Sequence, residues 1–224
     1  MAAVFGGKVS LAAWLGLTAF VGASQTAAAR RALEERPPAW LAALTALGPP
    51  VAALYSGMHL VGAVLAGLAV ALLVRAFAPE GSTARDVSVA LLIGIATGTA
   101  AGSVVATREL GINPTFFLLA CAAVYDVGAY LIGTGAGAAW EGPVAGIVGI
   151  VPVSILGSVL LSPPFPAGGP ILLGFLAVVL VPLGPLLATA LVGDRELDAP
   201  GLRRLDSLLV LGPMWAWAAT RLIG

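Results

Sequence analysis

One cysteine, one histidine and one lysine stand among 224 residues, and each scarcity closes off a chemistry. Cys121, alone and inside an apolar run, forms no internal disulfide and no multi-cysteine metal site; it reads as a small packing residue. His59 has no partner motif and reads as an interfacial residue. Lys8 is joined only by arginines, and no basic tract interleaves with aromatics, so nucleic acid is not an expected partner. Charge is scarce altogether, at 10% of residues against about 25% in an ordinary soluble domain. With 59% hydrophobic residues and a mean hydropathy of +1.03, this is the composition of an integral membrane protein.

What is abundant is apolar sequence. A spanning helix takes about 20 mostly apolar residues, and eight segments approach that length: 10–29, 39–57, 59–76, 87–106, 115–133, 143–161, 170–192 and 207–223. The expected fold is an all-α polytopic bundle of about eight transmembrane spans, divided into N-terminal helices over 1–114 and C-terminal helices over 115–224. Pro49 and Pro50 remove two backbone donors and should kink or interrupt the second span. The basic residues set an orientation. With the N-terminus outside, the loops holding Arg30 to Arg36, Arg75 to Arg85 and Arg195 to Arg204 all face the cytoplasm, leaving Lys8, Arg108 and Arg221 outside. An arginine-rich composition heavy in alanine and glycine fits the cytoplasmic membrane of a bacterium with a GC-rich genome.

Small residues recur at helical spacing. Gly94, Gly98 and Gly102 form overlapping GxxxG steps and Gly142 with Gly146 forms another, which lets helices approach closely, either within the chain or in a homo-oligomer. No internal repeat of the transporter kind is visible.

Against this background the acidic residues ask for reasons. Asp126 lies inside the fifth span, in CAAVYDVGAYLIG, where a charge costs at least about 2.5–3.5 kcal/mol on insertion scales. It reads as a site facing the bundle interior, or, more plainly, as a carboxylate reaching water or an arginine. Glu141, followed by Gly142 and Pro143, is ordinary helix-start chemistry, and Trp140 before it fits an interfacial anchor. The stretch GDRELDAPGLRRLDSLL, 193–209, concentrates Asp194, Arg195, Glu196, Asp198, Arg203, Arg204 and Asp206 between two apolar runs. Two accounts stand: a solvated inner loop, or a site where Asp126, Asp194 and Asp206 converge on a divalent cation while the arginines grip phosphate.

Order and spacing resemble a family. VYDVGAY at 124–130, AWEGPVAG at 139–146, GD at 193–194 and RRLDSLL at 203–209, followed by a final span, resemble the C-terminal half of the CDP-diacylglycerol synthases, whose D-x-GAY, K-T-W-x-G, GD and D-R-x-D-S elements occur in that order. The resemblance covers about 124–224. It implies a membrane cytidylyltransferase of phospholipid biosynthesis, converting CTP and phosphatidate or a related lipid phosphate to CDP-lipid and pyrophosphate with Mg. It also implies roles: Asp126 and Asp206 catalytic, Asp194 and Asp206 as metal ligands, and Arg195, Arg203, Arg204 and Trp140 meeting substrate phosphate. The sequence departs from the pattern at Ala138 and Ala139, where the family has a basic residue and threonine, and at Arg203, where it has aspartate. Only RELDAPGL stands in place of a longer lysine-bearing segment. Two other functions therefore stay open: a relative without catalysis that binds or assembles in the membrane, and a small transporter using Asp126 as an ion relay.

Overall fold

In lipid no water satisfies the backbone, so long uncharged runs close their hydrogen bonds internally as helices. The computed structural model describes residues 6–56, 62–67, 69, 73, 84–194 and 196–223, and these contain helices, turns and no strand. In chain order the helices are α1 (Lys8–Ala29), continued by a tighter turn over Arg30–Leu33, α2 (Ala39–Ala52), α3 (Ala84–Thr107), α4 (Ile112–Gly133), α5 (Glu141–Leu160), α6 (Gly169–Leu180), α7 (Leu183–Val192), the short α8 (Pro200–Arg203) and α9 (Leu208–Ile223).

Five helical stretches are long and apolar enough to cross a membrane: Lys8–Leu33, Ala84–Leu110, Ile112–Gly133, Glu141–Leu160 and Gly169–Val192, the last made of α6 and α7 in series. They match five of the eight expected spans. The expected second span is a helix of only 14 residues, with Pro49 and Pro50 in its last turn. At about 21 Å it falls short of a hydrocarbon core of about 30 Å. The expected third span falls largely outside the described residues. The expected eighth is α9, 16 residues and so about 24 Å long.

The helices run both ways between two ends, which sorts the polar residues between them. One end gathers the close of α1, the starts of α2, α3 and α5, and the closes of α4 and α7. Glu35 binds Arg30 Nε at 2.6 Å and Arg85 Nη2 at 2.8 Å there, and the Arg36 N–H donates to Asp86 Oδ1 at 2.9 Å. The opposite end holds Lys8, whose ammonium pairs with Glu109 at 2.5 Å and donates to the Leu54 carbonyl at 2.9 Å. The lone lysine and the close of α7, where Arg30 meets Leu191, thus belong to opposite ends of the bundle.

α3 is the hub. Two-thirds of its apolar window is buried, against about a fifth for α5, and it packs on α1, α2 and α9. Its glycine stripe does this work: a Cβ at Gly98 would lie 2.6 Å from the Ala46 carbonyl oxygen, and one at Gly102 2.8 Å from the Pro49 carbonyl carbon. Gly146 likewise leaves room for Tyr125 across the α4–α5 seam. These glycine faces are taken up inside the chain. α4 and α9 run antiparallel, joined by an edge-to-face contact of Phe117 with Trp215, ring centroids 5.2 Å apart.

Candidate functional site

The segment after α7 does not remain at the charged end. Gly193 caps α7 with φ 96°, a left-handed value that glycine adopts without steric cost. Arg30 braces the same corner: its Nη1 donates to the Leu191 carbonyl at 2.7 Å, one of the acceptors a helix end leaves open. The hydrogen bond from Arg30 to Glu35, with the charges of Arg30 and Arg85, holds the Glu35 carboxyl below its ordinary range, opposed by burial and by Asp86.

From Gly193 the chain turns back into the bundle. α8 rests on α1, where the Gly201 N–H donates to Gln25 Oε1 at 2.7 Å. A Cβ on Gly22 would lie 2.9 Å from the Gly201 carbonyl carbon, and one on Gly184 would run into the Asp206 carbonyl. Gly22 stands seven residues before the end of α1 and Gly184 eight before the end of α7, so this turn lies about 10 Å inside the charged end. Non-helical backbone at such depth is tolerated where protein surrounds it. Leu202 and Leu205, both buried, seal it from beneath.

Asp126 meets the turn from α4, seven residues before that helix ends. Buried Ser207 clasps both carboxylates: its N–H donates to Asp206 Oδ1 at 2.8 Å and its hydroxyl donates to Asp126 Oδ2 at 3.1 Å. The Asp206 charge acts on Asp126, and the Arg203 charge acts on Asp206. Each carboxylate keeps a second oxygen outside the serine bonds. Asp126 is exposed and Asp206 half-buried.

The other anticipated residues are spread around this pair. Asp194 stays exposed near the Gly193 corner, where its Oδ1 accepts the Glu196 N–H at 3.0 Å. Among the described residues no three of His, Cys, Asp and Glu are grouped to hold a metal. The envisaged gathering of Asp126, Asp194 and Asp206 is therefore the pair Asp126 and Asp206, with Asp194 apart. Arg203 and Arg204 are exposed around the close of α8. Arg195 lies outside the described residues. Trp140, 65% exposed, stands immediately before α5 at the charged end, an interfacial anchoring position.

Sequence reasoning passed over two residues that build the site. Ser207 reads as a helix-start residue, yet it joins two acids 81 positions apart. Gln25 weakens an apolar span on paper, while in the fold its amide oxygen docks α8. The available signal was polarity itself: an amide within a span calls for a partner.

Fold and site together define an all-helical protein built of membrane-length apolar helices, with a carboxylate pair set below one end. The chain belongs to the cytidylyltransferase family, whose model matches residues 1–192. No curated protein and no solved structure matches it. The match reaches further toward the N-terminus than the resemblance suggested. It includes VYDVGAY and AWEGPVAG and stops just before Asp194, so α8, Asp206 and α9 lie outside it. Family membership supports a CTP-using transferase in general terms.

Proposed function

We propose that this protein transfers the cytidylyl group of CTP to a lipid phosphate, phosphatidate or a close relative, at the end of the bundle where Asp126 and Asp206 meet. The single observation that carries this reading is the Ser207 clasp, which joins the acid of VYDVGAY to the acid of RRLDSLL. A lipid phosphate oxygen attacks the α-phosphorus of CTP, the bond from that phosphorus to the bridging oxygen breaks, and pyrophosphate departs. Such a reaction asks a protein mainly for positioning and charge compensation. Arg203, and with it Arg204 and Arg195, would meet phosphate oxygens.

The residues fit a divalent cation: two carboxylates, each with an oxygen outside the serine bonds, match the oxygen-rich coordination of magnesium. Held by Asp126 and Asp206, with Asp194 nearer the surface, Mg would offset the charge of the triphosphate. The exposure of Asp126 on the face of α4 suits a substrate whose phosphate is tethered to acyl chains in the surrounding bilayer. On this reading the charged end faces the cytoplasm, where CTP is found.

A second reading, a relative that binds without turnover, is favoured by Ala138 and Ala139 in place of polar family residues and by Lys8 at the far end. One assay separates the two: purified protein with labelled CTP, phosphatidate and magnesium, beside an Asp206→Asn control. Labelled CDP-lipid that disappears with Asp206→Asn is expected; no product, with a related synthase active alongside, would overturn transfer.

A further inference from the structure

A second cationic feature lies at the charged end, and the transfer reading makes no use of it. The segment joining α1 to α2 forms a cavity of about 490 Å3 lined by Arg31, Arg36, Pro37 and Pro38. The charges around it are unevenly shared. Glu35 is consumed by Arg30 and Arg85, and Asp86 accepts the backbone N–H of Arg36 rather than being bound by its guanidinium in the bonds above. Glu34 is exposed on the same segment. Neither the Arg31 nor the Arg36 guanidinium makes an ion pair among the described residues. Both side chains are exposed, while Pro37 is buried and fixes the wall between them. Trp40, 54% exposed at the start of α2, and exposed Leu33 lie on the same segment, an aromatic and an aliphatic group of the kind that anchors at a bilayer interface.

We infer that the Arg31–Arg36 cavity binds a phosphate-bearing anion, and that the headgroup of an anionic phospholipid is the form available to it in a bilayer. Two guanidiniums facing one hollow offer the forked donors that suit phosphate oxygens. Pro37 and Pro38, which follow Arg36, restrict the backbone on that side of the hollow. The cavity is separate from the carboxylate pair, since α2 packs on α1 and α3 whereas α4 packs chiefly on α5. Occupancy there would tether α1 to α2 beside the Arg30–Glu35 brace that holds the Gly193 corner.

The test is a binding measurement on the whole protein in a neutral detergent, independent of any CTP turnover. Dioctanoyl phosphatidylglycerol, dioctanoyl phosphatidylcholine and inorganic phosphate are titrated separately onto wild type, Arg31→Gln/Arg36→Gln and, at the opposite end, Arg221→Gln. The expected result is binding of phosphatidylglycerol over phosphatidylcholine that weakens at least about tenfold in the double variant and is unchanged in Arg221→Gln. Binding of inorganic phosphate with the same arginine dependence, and no lipid preference, would support the anion site and assign it a soluble source. Binding of either anion that ignores both arginines, or no binding of either, would overturn the inference. Arg31→Lys/Arg36→Lys, which keeps the charge but loses the fork, guards against misfolding and should lie between wild type and the glutamine variant. Because no step depends on CTP, failure here leaves the transfer reading standing, and failure of transfer leaves this site standing.

Discussion

Ser207→Ala separates the two halves of the clasp. The substitution removes the hydroxyl that Asp126 accepts at 3.1 Å but keeps the backbone N–H that Asp206 accepts at 2.8 Å. Ser207 is 2% exposed, so alanine fits the same space and strands no buried donor. A hydrogen bond to a charged acceptor contributes about 1.5–3 kcal/mol, and the exposure of Asp126 selects the lower end of that range. About 1.4 kcal/mol is a factor of ten, so the magnesium concentration for half-maximal CDP-lipid formation should rise about tenfold, in line with the loss of an orienting contact behind a metal ligand. The assay is a magnesium titration of product formation by wild type and Ser207→Ala, with matched thermal unfolding to show that the fold persists. The maximal rate at saturating magnesium should fall much less than the affinity. An unchanged titration, in a preparation where Asp206→Asn is dead, would mean that Asp126 takes no part in holding the cation.

Three further outcomes follow from packing and charge. Gly184→Val sets side-chain atoms against the Asp206 carbonyl; overpacking of about 2–3 kcal/mol should lower the detergent-solubilised melting temperature by about 5–10 °C and abolish transfer, and an unaltered melting temperature would show that the turn does not dock on α7. Gly193→Ala meets two obstacles, a φ of 96° and a Cβ 2.6 Å from Leu33 Cδ1. Adding Leu33→Ala should recover the steric part and leave the backbone cost of about 1–2 kcal/mol, as read from the melting temperatures of the single and double variants. Glu35 has its folded carboxyl held below the ordinary value of 4.5, so its stabilisation is present above that value and is lost as pH falls through the lower, folded one. Wild type should lose melting temperature on acidification below about pH 4.5, whereas Glu35→Gln should start lower and respond less; parallel curves would refute the pairing.

Much of the architecture was legible because its cause is local. Uncharged runs of spanning length give α1, α3, α4, α5 and the α6–α7 pair, and two adjacent prolines end α2 early. Arg30 and Arg85, read as belonging to two inner loops, meet at one end on Glu35. What escaped was tertiary. The run 207–223 has the composition of a span, but nothing in its own residues reveals that it starts beside Gly184 rather than at the surface. Motif order brought Asp126 and Asp206 together with Asp194, and it included Ser207 as the last residue of its terminal element, but nothing in that order shows that this serine bonds both acids. The cavity at Arg31 and Arg36 was read as an ordinary inner loop, since only the fold shows that Glu35 is engaged by Arg30 and Arg85.

The descent of the 193–207 segment into the bundle has a consequence for how the protein is made. Insertion into a bilayer selects helices by apolarity, and this short segment, with its dense charge, is a poor candidate. Its place below the surface exists only once α1 and α7 stand together with Gly22 and Gly184 turned toward it. Asp206 therefore arrives at its depth by docking onto finished helices, after the five long stretches have been synthesised. Until then Asp126 waits in α4 without the partner that Ser207 gives it.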